Sequence, residues 1–361
     1  MALRARGWRT SLVQPADAAV TLATSHEAVR DLPAPAGLGS ALRERRRSLS
    51  THADVLEQHG YASARFVAQR ILLWDRVFRE LRPHVVICDH APDAILACRD
   101  RWPAVPVGNA MSLPPVALER YPPLRRAGRT VDPGVVLDAV NEACRLCGRA
   151  PLTSLPQLYA GASEGCIALH FMDPYAAART IPVLPPPAPP EPVASDGPER
   201  LVAYLSSMGR RAMHSLLEGI ALSGLPARVV APVAASDASV GGKIELHREA
   251  VAKDTLAEGA RLALGCGTPG FAADMAWLGV PQVVAGTNFE RNVNAALLAR
   301  HGLAARVAPT ELFEPRRIAE ILRAAWQDAR MRERAATVAA DLAAIRDVNA
   351  FELLADRIEA V

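Results

Sequence analysis

Apolar and polar positions along the chain follow two rhythms. Short β-branched runs are apolar at nearly every position: "HVVICD" (84–89), "RLVAYLS" (200–206), "ARVVAPV" (227–233), "ARLALG" (260–265) and "PQVVAG" (281–286). Strands buried on both faces read this way, so these runs predict the parallel strands of a covered sheet. Amphipathic stretches of helical length lie between them, such as "APDAILACRDRW" after the first run, "MHSLLEGIALSG" after the second and "RNVNAALLARHG" after the last. Strand–helix alternation on this scale predicts βαβ units and an α/β fold of doubly wound parallel sheets.

One segment breaks both rhythms. "IPVLPPPAPPEPVASDGP" (181–198) is rich in proline and has no periodicity, so it cannot enter a central strand or a helix interior. It is expected to be an extended linker between an N-terminal domain over 1–180 and a C-terminal domain over 199–345. The amphipathic tail over 346–361 reads as a final helix, expected to return to the N-terminal domain. Ligands in such folds bind at the carboxyl ends of the strands.

Composition narrows the function classes. A chain of 361 residues exceeds what one core usually serves, and half its residues are apolar. The net charge of +3 is small for this length and no dense basic stripe occurs, which argues against a nucleic-acid partner. Lysine occurs only at Lys243 and Lys253, so the positive charge is nearly all arginine, as a GC-rich coding sequence would give. No run of about 18 apolar residues predicts an integral membrane segment, and a cytoplasmic protein is expected. Six scattered cysteines do not form a disulfide pattern. Cys144 and Cys147 make a lone C-x-x-C in a helical stretch without a second pair or nearby histidines, so they are expected to pack rather than bind metal. No Walker loop string is present.

The most informative stretch is "GCGTPGFAADMAWLGVPQ" (265–282). Thr268 is a good helix N-cap residue, and Pro269 suits the first helical position, where its missing N–H costs nothing. Gly267 and Gly270 carry no side chain, so a ligand can approach the backbone closely. Gly279 and Pro281 then close the helix. A strand, a glycine-rich turn and a helix start aim free N–H groups and a positive dipole end at one point, an arrangement suited to a phosphate.

The string "GCGTPGFAADMAWLGVPQVVAGTNFERNVNAALLARHGLAARV" resembles the donor-binding signature of nucleotide-sugar-dependent glycosyltransferases, the bacterial macrolide and UDP-glycosyltransferase-like enzymes. The resemblance implies a GT-B fold, two Rossmann-like domains facing across a cleft. Aligned on Gly279-Val280-Pro281, it implies that Cys266 stands where the family has a diphosphate-contacting histidine. Gly267 and Gly270 fall on family glycines, Thr268 replaces another, and Phe271 lies beside them. Asp274 takes the place of a ribose-contacting carboxylate, Glu290-Arg291 that of an acidic–glutamine pair on the sugar, and Asn294 that of an asparagine. "RLVAYLSS" resembles the first donor-domain strand, which implies Ser206 and Ser207 near the phosphates.

In the N-terminal half, "ICDHAPDAILA" and "PVGNAMSLPP" resemble the acceptor domain. Asp89 then stands for the carboxylate that supports the catalytic base, and Asn109, Met111 and Ser112 line the acceptor. "ALRARGWRTSLVQP" resembles the end of the family's first helix and its second strand, so the first strand and the loop with the catalytic histidine would precede Met1. His90 would then have to serve as base. The implied reaction moves a sugar from a UDP- or TDP-sugar, a co-substrate rather than a cofactor, to a hydroxyl of a small-molecule or lipid acceptor, with inversion. The diphosphate is held by N–H groups and a helix dipole, so no metal is expected. Two alternatives are a catalytically silent relative that acts as a binding or partner subunit, and a nucleotide-sugar epimerase.

Overall fold

The computed structural model describes residues 2–15, 28–32, 49–125, 130–191, 198–205, 208–231 and 243–361. The chain forms two compact units: Met1–Ile167 with Ala177–Leu184 and Asn349–Val361, and Ala168–Ala176 with Pro185–Val348.

The first unit opens with α1 (Ala2–Ala5), β1 (Ser11–Pro15) and β2 (Ala28–Leu32), the two strands pairing in parallel from Ser11 opposite Ala28 to Pro15 opposite Leu32. Next come α2 (His52–Gln58), α3 (Ala64–Leu81), β3 (Val86–Asp89), α4 (Pro92–Cys98), β4 (Ala104–Gly108), α5 (Pro133–Leu146) and β5 (Gly165–Cys166). The last three strands form a parallel sheet in the order β3-β4-β5. A capping box starts α2, with the Thr51 hydroxyl accepting from Asp54 N–H and the Asp54 carboxylate from Thr51 N–H. On α3, Val67, Ile71, Trp74 and Phe78 recur at helical spacing and form its buried stripe. Cys144 is buried and the Cys147 thiol donates to the Ala68 carbonyl, and no group of potential metal ligands occurs among the described residues.

The second unit contains β6 (Arg200–Tyr204), α6 (Arg210–Ser223), β7 (Ala227–Val230), β8 (Ile244–His247), α7 (Lys253–Ala257), β9 (Ala260–Gly265) and α8 (Pro269–Trp277). It continues with β10 (Gln282–Val284), α9 (Phe289–Arg300), β11 (Ala304–Arg306), α10 (Pro315–Gln327) and α11 (Ala329–Ala343). All six strands are parallel, in the order β11-β10-β9-β6-β7-β8. Leu201, Val202 and Ala203 of β6 are wholly buried in succession, which explains the unbroken apolar run. The order in which the chain adds strands reverses at the boundary between β6 and β9: β7 and β8 follow β6 on one side, and β9, β10 and β11 build outward on the other. This is the switch point at whose carboxyl end a doubly wound sheet leaves a crevice.

Several expected boundaries move. The run 227–233 is a strand only to Val230, and 281–286 only over Gln282–Val284, because Ala285 and Gly286 lead into the turn before α9. Ser206 and Ser207 lie outside the described residues. Residues 168–176 belong to the second unit, not to a domain over 1–180: Leu169, Phe171 and Met172 pack with Ala272, Ala276 and Leu298. Within the expected linker, Leu184 returns to the first unit, its N–H donating to the Cys166 carbonyl at 2.7 Å. Residues 346–348 stay with the second unit, where Arg346 donates to the Pro189 carbonyl. The C-terminal helix Ala350–Glu359 is in the first unit, with Arg357 donating to the Glu164 carbonyl at 2.9 Å. No helix among the described residues is long and apolar enough to cross a membrane.

Candidate active site

The turn from β9 into α8 lies at the switch point. Gly267 has φ of +82°, and a Cβ there would come within 2.7 Å of the Arg291 carbonyl oxygen, so only glycine lets the start of α9 approach. The Asn294 side-chain amide donates to the Gly267 carbonyl at 2.9 Å and pins the turn to α9. Thr268 and Pro269 take the N-cap and first helical positions, but the Thr268 hydroxyl makes no capping bond. The first-turn N–H groups of α8 are therefore left for solvent or a ligand. A Cβ at Gly270 would meet nothing within 4 Å, so the approach to these N–H groups is open.

The start of α9 contributes the other wall. Asn288 caps it by accepting from Arg291 N–H at 2.9 Å, and the Arg291 guanidinium donates to the Thr287 hydroxyl at 2.9 Å. Glu290 is half-buried in the same turn. Phe271 packs over Gly265 and stacks on Tyr204 at the end of β6, ring centres 5.7 Å apart. Asp274, one turn further along α8, is buried and gripped by Lys253, whose Nζ lies 2.9 Å from Oδ1 and 2.8 Å from Oδ2. Burial pushes the Asp274 carboxyl above its ordinary value while the Lys253 ammonium pulls the other way.

Two expectations about this turn need correction. Cys266 is wholly buried in the core with Leu264 and Ala285, because the chain is still covered on both faces where β9 ends. Its thiol cannot take the ligand-facing place of an imidazole, so only its backbone borders the site. Asn294 is 3% exposed and serves to hold the turn rather than to meet a ligand.

In the first unit, Asp89 and His90 are exposed at the end of β3. His90 has φ of +44°, a left-handed conformation that histidine tolerates better than most residues. Its N–H donates to the Val107 carbonyl, and its Nδ1 lies 3.4 Å from the Ser112 carbonyl oxygen. A carbonyl only accepts, so Nδ1 is the donor in this contact, and in the neutral ring with that tautomer the lone pair is on Nε2. The loop after β4 provides that carbonyl: the Asn109 side-chain oxygen accepts from Met111 and Ser112 N–H, both at 3.0 Å. Met111 is therefore buried rather than lining a surface. The expected pairing of Asp89 with a histidine is not formed among the described residues, since neighbours at a strand end point in different directions.

Behind His90 lies a group that sequence reasoning did not single out. His52 is 1% exposed, with its ring centre 6.5 Å from that of His90 and its Nε2 2.7 Å from the Tyr159 hydroxyl. Burial, with His90 and His59 adding to it, pushes the His52 imidazole down to about 3. A Thr-x-x-Asp capping signature at 51–54 marks the helix start that carries it. Lys253 had no comparable local signal.

No family model matches the sequence, and neither does any curated protein. Solved structures match over nearly the whole chain. CalG4, the calicheamicin glycosyltransferase, superimposes with a TM-score of 0.70 at 17% identity, covering 99% of this chain and 92% of that one. SnogD from Streptomyces nogalater, also a glycosyltransferase, gives 0.64 at 16%, covering 98% and 93%. The spinosyn rhamnosyltransferase SpnG, solved with thymidine diphosphate, gives 0.62 at 18%, covering 95% and 90%. The chain has the GT-B, nucleotide-sugar glycosyltransferase-like fold of these proteins.

Proposed function

We propose that the protein is a glycosyltransferase that moves a sugar from a UDP- or TDP-sugar to a hydroxyl of a small-molecule or lipid acceptor. The observation that carries this reading is the uncapped, glycine-walled start of α8 at the switch point of the second unit. Its N–H groups and dipole suit a diphosphate both as bound group and as leaving group, so the reading needs no metal. Glycosyltransferases of the same fold, one of them solved with thymidine diphosphate, support it.

In this reading the acceptor oxygen attacks the anomeric carbon with inversion, and the bond to the diphosphate breaks. His90 Nε2 takes the hydroxyl proton, its tautomer held by the Ser112 carbonyl. Asp89, exposed beside it, supplies negative charge near the imidazolium that forms. Asp274 accepts from the pentose hydroxyls, and Glu290 and Arg291 meet the transferred sugar.

The buried thiol of Cys266 favours a second reading, a relative that binds the nucleotide without turnover. The two share a first test. UDP or TDP should raise the melting temperature through linkage. Gly270→Asp should abolish that rise, because the new carboxylate enters open space and repels the anion without disturbing packing. No rise with either nucleotide at millimolar concentration would remove the donor site. Release of nucleotide from UDP- or TDP-sugars in the presence of hydroxylated acceptors then separates transferase from silent relative.

A further inference from the structure

The Lys253–Asp274 ion pair lies beside the anion site but does not belong to it. Asp274 is four residues beyond Gly270, or about 6 Å along the helix axis. A group at that height is within reach of the pentose joined to a phosphate at the helix start. The carboxylate is 8% exposed, and a buried carboxylate without a partner takes up a proton and loses acceptor capacity. Lys253 contacts both oxygens, while its own side chain stays 59% exposed. A carboxylate has about four lone-pair sites, so one contact per oxygen leaves an acceptor position on each.

We infer that Lys253 is a positioning residue for the nucleotide: by gripping both oxygens it fixes the Asp274 carboxylate as an ionised acceptor for pentose hydroxyls. The inference rests on the nucleotide reading of α8. Other charged groups on the neighbouring elements are engaged elsewhere. On α7, Asp254 accepts from Thr255 N–H; just after that helix, Glu258 meets Arg228. On β9, Arg261 pairs with Glu199. On α11, Arg334 donates to the His301 carbonyl, and it is Ala335, Ala336 and Ala339 that approach the end of α8. Lys253 is the charged group among the described residues that acts on Asp274.

The test measures binding of UDP and of 2′,3′-dideoxy-UDP to the full chain by calorimetry between pH 5 and pH 8. Wild type, Lys253→Met and Lys253→Arg are compared, so that ionisation of the probe is common to all. Removing the ammonium lets burial raise the Asp274 carboxyl further. The acid limb of UDP binding should therefore move to higher pH in Lys253→Met, with a loss of roughly tenfold at pH 6. Preference for UDP over the dideoxy probe should shrink by the same factor, and Lys253→Arg should restore both. Unchanged pH dependence in Lys253→Met, or an equal loss for the two probes, overturns the inference and leaves the nucleotide site standing. Failure of wild type to bind UDP overturns the inference, and failure to bind TDP as well overturns the reading of the site.

Discussion

His52 shows what burial does to one side chain. Its Nε2 meets the Tyr159 hydroxyl, but its Nδ1 is buried without a hydrogen-bond partner among the described residues, and Tyr121 packs edge-on at 5.0 Å. Charging such a ring has no compensation, which is why its value falls from 6.5 in a free chain to about 3. The unfolded chain therefore binds one more proton than the folded one between those two values. Stability contributed by the neutral ring is fully present above pH 6.5 and is lost as pH falls toward 3, at about 1.4 kcal/mol per pH unit. His52→Gln keeps a polar partner for Tyr159 but cannot titrate. Its urea midpoint should consequently fall less between pH 7 and pH 5 than that of wild type. An identical fall in the two proteins would mean that the ring accepts its proton in the folded state.

At the scale of elements, helix-to-helix contact in the second unit depends on a residue that reads as a flaw. Gly219 lies within α6, where glycine weakens a helix by about 1 kcal/mol relative to alanine. A Cβ there would lie 2.5 Å from Ile318 Cγ2 and 2.8 Å from its Cβ, so the glycine sets how closely α6 and α10 approach. Gly219→Ala should destabilise by about 1–3 kcal/mol from overpacking, less what helix propensity returns. A rise in the denaturation midpoint would show that α10 can shift without penalty. The spacing of apolar residues in "MHSLLEGIALSG" reveals the helix but not this contact, which depends on a partner about 100 positions away. The same distinction governs what else was legible. β6, β7, β9 and β10 are covered on both faces and stand out as apolar runs, whereas β8 is a half-exposed edge strand and β5 has only two residues. In the site, Gly267, Thr268, Pro269 and Gly270 were legible because the backbone itself dictates those residue types. Lys253 was not, because a contact across 21 positions is made by the fold, and Cys266 faces the core for the same reason.

At the scale of the molecule, the chain crosses between its two units four times, at 167/168, 176/177, 184/185 and 348/349. The first unit is therefore completed only by Asn349–Val361. The C-terminal helix sets Leu354 against Gly165 of β5, where a Cβ would come within 2.5 Å, and donates through Arg357 to the Glu164 carbonyl. A further tie is to residues near the start of the sequence: Arg6, just after α1, meets Glu352 at 2.6 Å, Asp356 at 2.7 Å and Glu359 at 2.8 Å. The acids recur at helical spacing, so they form one stripe that a single guanidinium can span. Trp8 adds a bond from Nε1 to Glu359 at 3.0 Å. Exposed ion pairs contribute little one at a time, and salt screens them. One arginine shared by three carboxylates differs because losing it leaves a row of like charges. Arg6→Ala should accordingly speed amide exchange across 350–359 at low salt. Exchange in β6–β11 of the second unit should stay unchanged, and the difference from wild type should narrow as salt is added. Equal exchange rates in the C-terminal helices of the two proteins at low salt would show that packing of Leu354 on β5 holds this helix without the arginine.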